Sequence, residues 1–451
     1  MSPHDGLILG DAVISTQEEV SAKVAAARAA TSAWQAQGLA GRAAHVRQLL
    51  QHWARRAEEF AQLASKEMGM PVGQARGDVA DAIGYLTWYV DHAQQYLSPQ
   101  VSFENGEVVH TVYREPYGVA AVIAPWNYPA TNFVWGCGQN LVAGNTVVFK
   151  HSEEVPLCGK LIDELVQASN FPPGVLTQVY GRGPVGALLA RQEVDLICFT
   201  GSSAVGESLY RVAAAGMKKI VMELGGSAPG VVFEDADLGA ATAAIYDARF
   251  SNSGQQCDGL KRLLVHESIW DPMVEKLADK LRMVTLGNPL DERFTLGPLV
   301  NKKQVELLER QVADALAKGA LVVAGGKQPG LSGAYYEPTL LTNITRDMRV
   351  WQEEVFGPVL PILKFRTEAE AVALANDTEF GLGAYVYTKD RERAARVAAQ
   401  LQTGMVSING TSYTGPTNPF GGYKRSGLGR LQGRWGFEEV TQTKVVAGKK
   451  V

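Results

Sequence analysis

The chain has 451 residues, 46% of them hydrophobic, and a formal net charge of −4. This length and apolar content predict a globular protein with two or three domains. Basic and acidic side chains are nearly balanced and form no long block, which favours a small-molecule ligand over nucleic acid or a membrane surface. The amino terminus has no signal-peptide pattern and no apolar run reaches a membrane-spanning length, so we expect a cytoplasmic protein.

The cysteines and histidines have none of the spacings typical of metal sites. Cys137, Cys158, Cys198 and Cys257 lie far apart, without a C-x-x-C pair, and the seven histidines form no H-x-x-x-H pattern. We therefore expect no metal site, no disulfide framework and a reducing compartment.

The first elements along the chain are helices, followed by a hairpin. Residues 17–96 are alanine-rich and place apolar side chains at helical spacing. Residues 101–115 alternate in polarity on either side of Asn105-Gly106, a dipeptide favoured in tight turns. The pattern predicts a β-hairpin that is able to protrude as a ribbon.

Five short β-branched segments then alternate with helical patterns, at residues 119–124, 146–150, 175–180, 195–200 and 219–224. This alternation predicts parallel strands in a doubly wound α/β sheet. Ligands of such sheets bind beyond the carboxyl ends of the strands, and here polar and glycine residues follow each strand. We expect those residues to form one rim of a binding cleft.

A second alternating region begins after residue 226 and predicts another α/β domain. Its elements are a strand in "GVVF", a helix over about 238–250, the loop around Cys257, a strand in "RLLVHE", a long helix, and strands in "PVLPILKF", "AYVYT" and "MVSING". We expect a cleft between the two domains, with the five strand ends on one wall and Cys257 on the other.

Two glycine-rich segments are candidate phosphate sites. "GRGPVG" (181–186) follows a strand and matches G-x-G-x-x-G, but the acidic residue expected about twenty residues later is missing, which favours a plain glycine turn. In "FTGSSAVG" (199–206), Ser202 or Ser203 can cap a helix over about 204–215. That helix end either binds a phosphate or is an ordinary capped terminus.

Lys150 and Glu153 follow the second strand of the predicted sheet. They are either a solvated surface pair or ligands of a ribose. A glutamate beside a bound nucleotide would repel a 2′-phosphate, which favours NAD over NADP.

Cys257 lies in "SGQQCDG" (253–259), a run of small and amide residues with a glycine on each side. Free cysteines usually behave as small core hydrophobes, so this polar setting makes Cys257 a candidate nucleophile, with an incidental loop cysteine as the alternative. Only about 3% of an unperturbed thiol is ionised at pH 7, so a nucleophile needs a positive field or a nearby base. We expect Gly254 and Gly259 to give the backbone freedom to move the thiol.

A series of motifs spans almost the whole chain: "APWNYP" (124–129), "GNTVVFKHSEEVP" (144–156), "FTGSSAVG" (199–206), "MELGGSAP" (222–229), "NSGQQCDGLKR" (252–262), "EEVFGPV" (353–359) and "PFGGYKRSGLGR" (419–430). In this order and at these spacings, they resemble the aldehyde dehydrogenase superfamily. The resemblance implies a Rossmann-like dinucleotide-binding domain (1–97 and 117–225), an α/β catalytic domain (226–430) and a β-ribbon oligomerisation element (98–116 and 431–451). It also implies NAD as the cofactor, with NADP as the alternative, an aldehyde substrate, and a homodimer or homotetramer.

The resemblance also implies roles for individual residues. By motif position, Cys257 corresponds to the nucleophile, Glu223 to the base that activates water for thioester hydrolysis, and Asn127 to the side-chain donor of the oxyanion hole. Cofactor contacts are implied for Ile123, Pro125, Trp126, Lys150, Ser152, Glu153, Gly186, Gly201, Ser202, Val205, Leu224, Glu354 and Phe356. Substrate contacts are implied for Tyr128, Trp135, Asp258 and Tyr413.

Two of these positions bear on the charge of the substrate. Trp135 stands where members specific for succinate semialdehyde typically carry an arginine, which disfavours an anionic aldehyde. Asp258 would repel an acidic aldehyde and attract an amino-aldehyde, unless it only pairs with Lys261 or Arg262. With the aromatic candidates, these features lead us to expect an apolar or aromatic aldehyde, with a semialdehyde or an amino-aldehyde as the alternative.

Three other functions remain as alternatives. A dehydrogenase that transfers the acyl group to coenzyme A is disfavoured by Glu223 at the hydrolytic position. A catalytically silent structural protein on the same fold would be free to lose Cys257, Glu223 and Asn127, and all three are present. A thiol hydrolase would need a histidine against Cys257, and the nearest in sequence is His266.

Overall fold

The computed structural model describes residues 1–410 and 412–450. In this part of the chain the α-helices are α1 (Gln17–Ala36), α2 (Gly38–Arg55), α3 (Ala57–Met68), α4 (Val72–Leu97), α5 (Pro129–Ala143), α6 (Pro156–Ala168), α7 (Gly183–Arg191), α8 (Ser203–Ala215), α9 (Leu238–Phe250), α10 (Trp270–Arg282), α11 (Lys302–Ala317), α12 (Arg349–Gln352), α13 (Glu368–Asn376), α14 (Arg391–Gln400) and α15 (Gly433–Glu439). Short 3₁₀ helices span Ser251–Gly254 and Glu267–Ile269.

The strands in the same residues are β1 (Gln100–Glu104), β2 (Val108–Pro116), β3 (Val119–Ile123), β4 (Thr146–Lys150), β5 (Leu176–Val179), β6 (Leu196–Thr200), β7 (Lys219–Glu223), β8 (Ala228–Val232), β9 (Leu260–His266), β10 (Leu321–Ala324), β11 (Thr339–Thr342), β12 (Val359–Phe365), β13 (Phe380–Gly381), β14 (Gly383–Tyr387), β15 (Met405–Ile408), β16 (Tyr423–Lys424), β17 (Gly427–Leu428) and β18 (Thr441–Lys449).

The amino-terminal helices form where the sequence pattern predicts them, and local signals set their ends. α1 begins with a capping box, in which the Thr16 hydroxyl accepts from the Glu19 N–H and the Glu19 carboxylate accepts from the Thr16 N–H. The helical pattern is interrupted at Arg56, whose φ of −113° and ψ of 19° separate α2 from α3. Trp34 and Trp53 from these helices are fully buried in an apolar core shared with α4, α5, β3 and β4.

The five strands predicted between residues 119 and 224 are confirmed as β3 to β7 and form one parallel sheet. Its order is β17-β7-β6-β3-β4-β5, with β17 antiparallel at one edge. The chain runs outward from β3 to β5 and then continues on the other side of β3 with β6 and β7, so the strand order reverses between β3 and β6. A doubly wound sheet binds its ligand at such a reversal.

The second predicted α/β region forms a seven-stranded sheet of order β10-β11-β12-β9-β8-β14-β15. Its strands pair in parallel, except that β10 is antiparallel to β11. Helix α9 spans the residues predicted for it, because Asp237 caps its first turn by accepting from the Gly239 and Ala240 N–H groups. The helix leads directly into the turn that carries Cys257.

The predicted hairpin forms the third sheet, of order β1-β2-β18. The Asn105 side chain accepts from the Glu107 and Val108 N–H groups at 2.8 and 2.9 Å and so closes the turn. β18 pairs with β2 along its whole length, and the sheet leaves apolar side chains exposed at Val101, Phe103, Val445 and Val446. The domain bounds predicted from the sequence stay predictions.

Within the described residues, every helix falls short of the length or apolarity needed to cross a membrane.

Candidate active site

A cavity of about 540 Å³ lies at the carboxyl ends of β3, β6 and β7. One wall is built from the residues that follow these strands, including Asn127, Gly201 and Glu223. The loop carrying Cys257 and Asp258 forms the opposite wall. The cavity therefore brings the three residues implied for catalysis to one place, although up to 130 positions separate them in the chain.

The backbone before Cys257 makes an unusually tight turn. Asn252, Ser253 and Gly254 have φ values of 49°, 54° and 73°, all in the left-handed region. A Cβ at Gly254 would also collide with the Gly357 carbonyl oxygen. Position 254 therefore requires glycine both for its positive φ and for lack of space. The turn ends the run from α9 and points the following residues into the cavity.

The Cys257 thiol is half-buried, whereas Cys137, Cys158 and Cys198 are buried, as the sequence predicts for core cysteines. Burial raises the pKa of the Cys257 thiol well above its ordinary value, and the neighbouring Asp258 charge raises it further. Lys261 acts in the opposite direction, and its ammonium donates to the Cys257 carbonyl oxygen at 3.0 Å. The thiol of the free protein is therefore protonated at neutral pH and needs an additional activating charge.

The Asn127 side chain is 6% exposed and is held in one orientation by its neighbours. Its Nδ2 donates to the Gln255 carbonyl oxygen at 3.0 Å, and its Oδ1 accepts from Asn132 Nδ2 at 3.1 Å. The reversed amide would set oxygen against oxygen at Gln255 and nitrogen against nitrogen at Asn132, so the orientation is unambiguous. Asn252 also donates to the Asn127 carbonyl oxygen at 2.9 Å. Among the described residues, one N–H of the Asn127 amide therefore has no acceptor and is available to an oxyanion.

Glu223 ends β7 and is 2% exposed. Within the described part of the chain, neither of its carboxylate oxygens has a hydrogen-bond partner. Burial raises the pKa of Glu223 well above its ordinary value, although the positive charge of Arg430 opposes this. A buried, unpaired carboxyl group that faces a cavity is suited to exchanging a proton with a bound water.

The start of α8 offers a site for a phosphate. Ser202 occupies the N-cap position, but its side chain makes no capping hydrogen bond, and Ser203 Oγ instead donates to the Arg425 carbonyl oxygen. A serine therefore occupies the cap position, as expected, but among the described residues the side-chain capping bond itself does not form, and Ser203 is already the first residue of the helix. In the part of the chain that the structure describes, the N–H groups of the first turn have no side-chain cap, and they lie beside Gly201 and Ser202, which line the cavity. This end of the helix therefore fits a dinucleotide pyrophosphate.

Glu354 and Phe356 line the cavity next to Trp126. The rings of Trp126 and Phe356 meet edge to face, with their centroids 5.7 Å apart. The Glu354 carboxylate forms an ion pair with Lys261 and accepts from the Gly226 N–H at 3.1 Å. Lys261 is fully buried, and burial lowers its pKa while Glu354 opposes that change.

The implied cofactor residues divide into two sets. Pro125, Trp126, Gly201, Ser202, Leu224, Glu354 and Phe356 line the cavity. Ile123, Lys150, Ser152, Glu153, Gly186 and Val205 lie outside its lining, on β3, on or after β4, and in α7 and α8. Lys150 is buried and donates to Glu153 at 3.1 Å. The pair thus stands at the carboxyl end of β4, outside the lining of the cavity.

The implied substrate residues lie around the Cys257 loop. Tyr128, Trp135 and Asp258 line the cavity, and Tyr413 donates to the Asp258 carbonyl oxygen at 2.9 Å. The alternative that Asp258 pairs with a following basic residue is excluded by their contacts. Lys261 pairs with Glu354, and Arg262 donates to the backbone carbonyls of Ser227, Leu374, Ala375 and Asp377.

Several residues that line the cavity were not expected from the sequence. They include Asp81 and Tyr85 of α4, Asn132 of α5, Asp247 of α9, and Gln304, Tyr385, Ser412, Thr414 and Phe420. Asp81 and Tyr85 stand four positions apart on α4, a spacing that puts them on the same helix face, but the sequence does not show what that face meets. His266 lies away from the cavity, where its ring contacts Ser268 and the Arg366 carbonyl oxygen.

Comparison with known proteins gives a consistent family. Residues 1–446 match the family described as the aldehyde dehydrogenase family. A glutarate-semialdehyde dehydrogenase of Pseudomonas aeruginosa is 36% identical over 445 residues, covering 98% of this chain and 92% of that protein. The NADP(+) succinate-semialdehyde dehydrogenase of Escherichia coli has the same identity over 445 residues and the same coverage.

A solved structure supports the same assignment. PnpE from Pseudomonas sp. WBC-3, in complex with nicotinamide adenine dinucleotide, has a TM-score of 0.96 at 36% identity, covering 99% of this chain and 93% of that one. The predicted α/β fold and the predicted resemblance are both confirmed. The chain thus belongs to the aldehyde dehydrogenase family and is an oxidoreductase that acts on an aldehyde group with NAD or NADP.

Proposed function

We propose that this protein converts an aldehyde to the free carboxylic acid, with Cys257 as nucleophile, Asn127 as oxyanion donor and Glu223 as the base for hydrolysis. The observation that carries the proposal is the convergence of these three side chains on one cavity. Three observations support these roles: the Cys257 thiol is not in a disulfide, the Asn127 amide is locked in one orientation, and among the described residues the buried Glu223 carboxyl has no hydrogen-bond partner.

In the first step, the Cys257 thiol releases its proton to solvent, the resulting thiolate adds to the aldehyde carbon, and the carbonyl oxygen becomes an oxyanion. The free N–H of the Asn127 amide and the Cys257 backbone N–H stabilise that oxyanion, a type of contact whose loss typically raises the barrier by about 3–4 kcal/mol. When bound, NAD or NADP supplies the acceptor for the hydride that leaves this carbon and a positive charge beside the thiol. Loss of the hydride restores the carbonyl and leaves a thioester on Cys257.

In the second step, a water molecule attacks the thioester. Ionised Glu223 takes one proton from that water, the carbon–sulfur bond breaks, and the carboxylic acid is released with regeneration of the Cys257 thiol. The net reaction consumes the aldehyde, the oxidised dinucleotide and water, and yields the acid, the reduced dinucleotide and a proton. Because Glu223 is buried and raised in pKa, the carboxylate is a stronger base than an exposed glutamate.

Reduced-nicotinamide absorbance with a panel of aldehydes and NAD or NADP tests the proposal. We expect turnover and one equivalent of free acid per reduced dinucleotide without added coenzyme A. Cys257→Ala should abolish turnover, whereas Cys158→Ala, at a buried position outside the cavity, should retain it. Turnover that requires coenzyme A would refute hydrolysis, and full activity of Cys257→Ala would refute the nucleophile.

The cavity walls bear on the carbon chain of the substrate. Tyr85, Tyr128, Trp135, Tyr385 and Phe420 provide aromatic contacts, which support the expected apolar or aromatic carbon skeleton. The relatives compared above are named as semialdehyde dehydrogenases, so their names give no support to a wholly apolar substrate. The lining also contains carboxyl groups, which an apolar ligand leaves without partners.

The cofactor preference, the assembly and the location are proposals of the same kind. Glu153 beside Lys150 supports NAD, because an anionic side chain there would repel the 2′-phosphate of NADP. The exposed apolar side chains of the β1-β2-β18 sheet support the homodimer or homotetramer expected from the sequence. Light scattering of the purified protein distinguishes these two from a monomer. The cytoplasmic location stays a prediction.

A further inference from the structure

The aldehyde half of the cavity is acidic and aromatic. Asp258 lies beside the nucleophile, and Asp81 and Asp247 lie exposed at the cavity mouth. Within the described residues, the lining contains no lysine, arginine or histidine. An anionic semialdehyde would therefore meet only like charges and no cation to pair with its carboxylate.

The backbone at Asp258 is held in place, and among the described residues its carboxylate has no side-chain partner. The Tyr385 and Tyr413 hydroxyls both donate to the Asp258 backbone carbonyl oxygen, at 3.0 and 2.9 Å. In the described part of the chain, no hydrogen bond or ion pair joins its carboxylate to another side chain, because Lys261 and Arg262 are engaged elsewhere. Burial raises the pKa of Asp258, although its own backbone N–H and the charge of Lys261 oppose that change.

Asp81 provides a second unpaired carboxyl group on another element. It stands one helical turn before Tyr85 on α4, and both line the cavity. Although Asp81 is exposed as a residue, partial burial of its carboxyl group raises its pKa. Burial also raises the pKa of Asp247, and the positive charge of Lys280 opposes this change. Lys280 Nζ lies over the Tyr246 ring, 5.0 Å from its centroid, so Asp247 has a basic side chain nearby.

Aromatic rings complete the surroundings that a cation requires. The rings of Tyr385 and Tyr413 lie 5.4 Å apart, and the edge of one ring of the Tyr85–Trp135 pair meets the face of the other at 5.5 Å. Ring faces attract ammonium groups, and they do so more strongly when water is excluded. Glu223, buried and unpaired in the same cavity, marks the position of the reacting carbon rather than of the amine.

We propose that the substrate is a cationic aldehyde, in which an ammonium group is carried by the same carbon chain as the aldehyde and is bound by Asp258 and the surrounding aromatic rings, with Asp81 at the entrance. This inference rests on the proposed aldehyde oxidation and adds the charge of the substrate. It differs from the semialdehyde substrates in the names of the relatives.

Three aldehydes of different charge test the inference, and the cation and the neutral compound are matched in shape. We use γ-trimethylammoniobutyraldehyde, its neutral isostere with a tert-butyl group in place of the trimethylammonium, and succinate semialdehyde. The quaternary amine prevents cyclisation to an imine. We expect kcat/KM for the cation to exceed that for the isostere by about tenfold or more, with the anion lowest. A higher kcat/KM for the isostere or the semialdehyde than for the cation would overturn the inference.

Variants locate the effect. Asp258→Asn should bring the ratio of kcat/KM for cation over isostere close to one, and Asp81→Asn should lower it mainly at low ionic strength. Asp271→Asn, an exposed change on α10 outside the cavity, should leave the ratio unchanged. An unchanged ratio in Asp258→Asn would remove Asp258 from the site.

Binding to an inactive variant separates the two proposals. Cys257→Ala retains the cavity but cannot form the thioester, so calorimetry gives the Kd of each aldehyde without turnover. Tighter binding of the cation than of the isostere supports the inference even if the wild-type protein oxidises none of the three. Equal binding of all three overturns it even if the wild-type protein is an active dehydrogenase.

Discussion

Replacing Glu223 by glutamine gives the sharpest test of the second chemical step. The change keeps the shape of a side chain whose two oxygens have no partner in the described part of the chain, so no existing hydrogen bond is lost. It removes the only role that we assign to this carboxyl group, which is to take a proton from water. General-base catalysis typically contributes 10²–10⁴-fold, so we expect hydrolysis to slow by that factor, or roughly 3–5 kcal/mol of barrier.

Rapid-mixing kinetics separates hydride transfer from hydrolysis. In Glu223→Gln we expect a burst of reduced nicotinamide close to one equivalent per active site, followed by slow turnover, and mass spectrometry should find the acyl group on Cys257. Cys257→Ser serves as the control, because it should show no such burst. Steady turnover of Glu223→Gln at the wild-type rate would refute the assignment of Glu223 as the base.

The same variant has a predictable effect on stability. Because the pKa of Glu223 is raised in the folded protein, its stabilising contribution is complete below the unfolded value of about 4.3 and is lost as pH rises toward the folded value. Each pKa unit by which folding raises it corresponds to about 1.4 kcal/mol lost once the group ionises. The Tm of Glu223→Gln relative to wild type should therefore increase between pH 5 and pH 8. A Tm difference that is constant across this range would contradict the burial argument.

Three further predictions concern other parts of the site. Asn132→Ala removes the hydrogen bond that orients Asn127, so its kcat should fall about tenfold while its KM for NAD stays unchanged. In Asn127→Ala, which removes the oxyanion donor itself, kcat should fall about 10²–10³-fold. If Asn132→Ala lost stability but kept its kcat, Asn132 would have a structural role only. Glu153→Gln should raise the ratio of kcat/KM for NADP over NAD about tenfold, because the repulsion of the 2′-phosphate is removed while Lys150 remains. Burial lowers the pKa of His151 to about 4, so stability falls as pH falls through the unfolded value near 6.5. Between pH 7 and pH 5, urea unfolding should show wild type losing about 2 kcal/mol more than His151→Asn.

The sequence was sufficient for elements whose pattern is local. β4 begins and ends at the predicted residues because its five positions are β-branched or apolar up to Lys150 and are all buried. α9 likewise has its predicted bounds, since the Asp237 cap and the tight turn after Phe250 are encoded next to it. In both cases, the signal and the structure that it specifies lie within a few residues.

The contacts that complete the site were not predictable in this way. The sequence made Lys261 a candidate partner of Asp258, but in the folded protein Lys261 pairs with Glu354, which is 93 positions away in the chain. Asp81 belongs to no recognisable sequence motif. Its place at the mouth of the cavity depends on how α4 packs against α5, which the sequence pattern does not show. Ser202 takes the cap position of α8 without a side-chain capping bond, and Ser203 donates to the Arg425 carbonyl oxygen from 222 positions away.

Hydrogen bonds hold the backbone on both sides of Cys257, and this bears on which part of the residue can move the sulfur. The carbonyl of Gln255 is held by Asn127, that of Cys257 by Lys261, and that of Asp258 by Tyr385 and Tyr413. Three of the four carbonyl oxygens between residues 255 and 258 thus accept a hydrogen bond from a side chain, and these bonds hold the main chain on both sides of the nucleophile. The glycines beside it then have a packing role, because a Cβ at Gly254 would strike Gly357 and one at Gly259 would lie 3.0 Å from the Ala248 carbonyl oxygen. We therefore expect movement of the sulfur between attack and hydrolysis to come mainly from rotation of the Cys257 side chain about Cα–Cβ, and the backbone freedom expected from Gly254 and Gly259 stays a prediction.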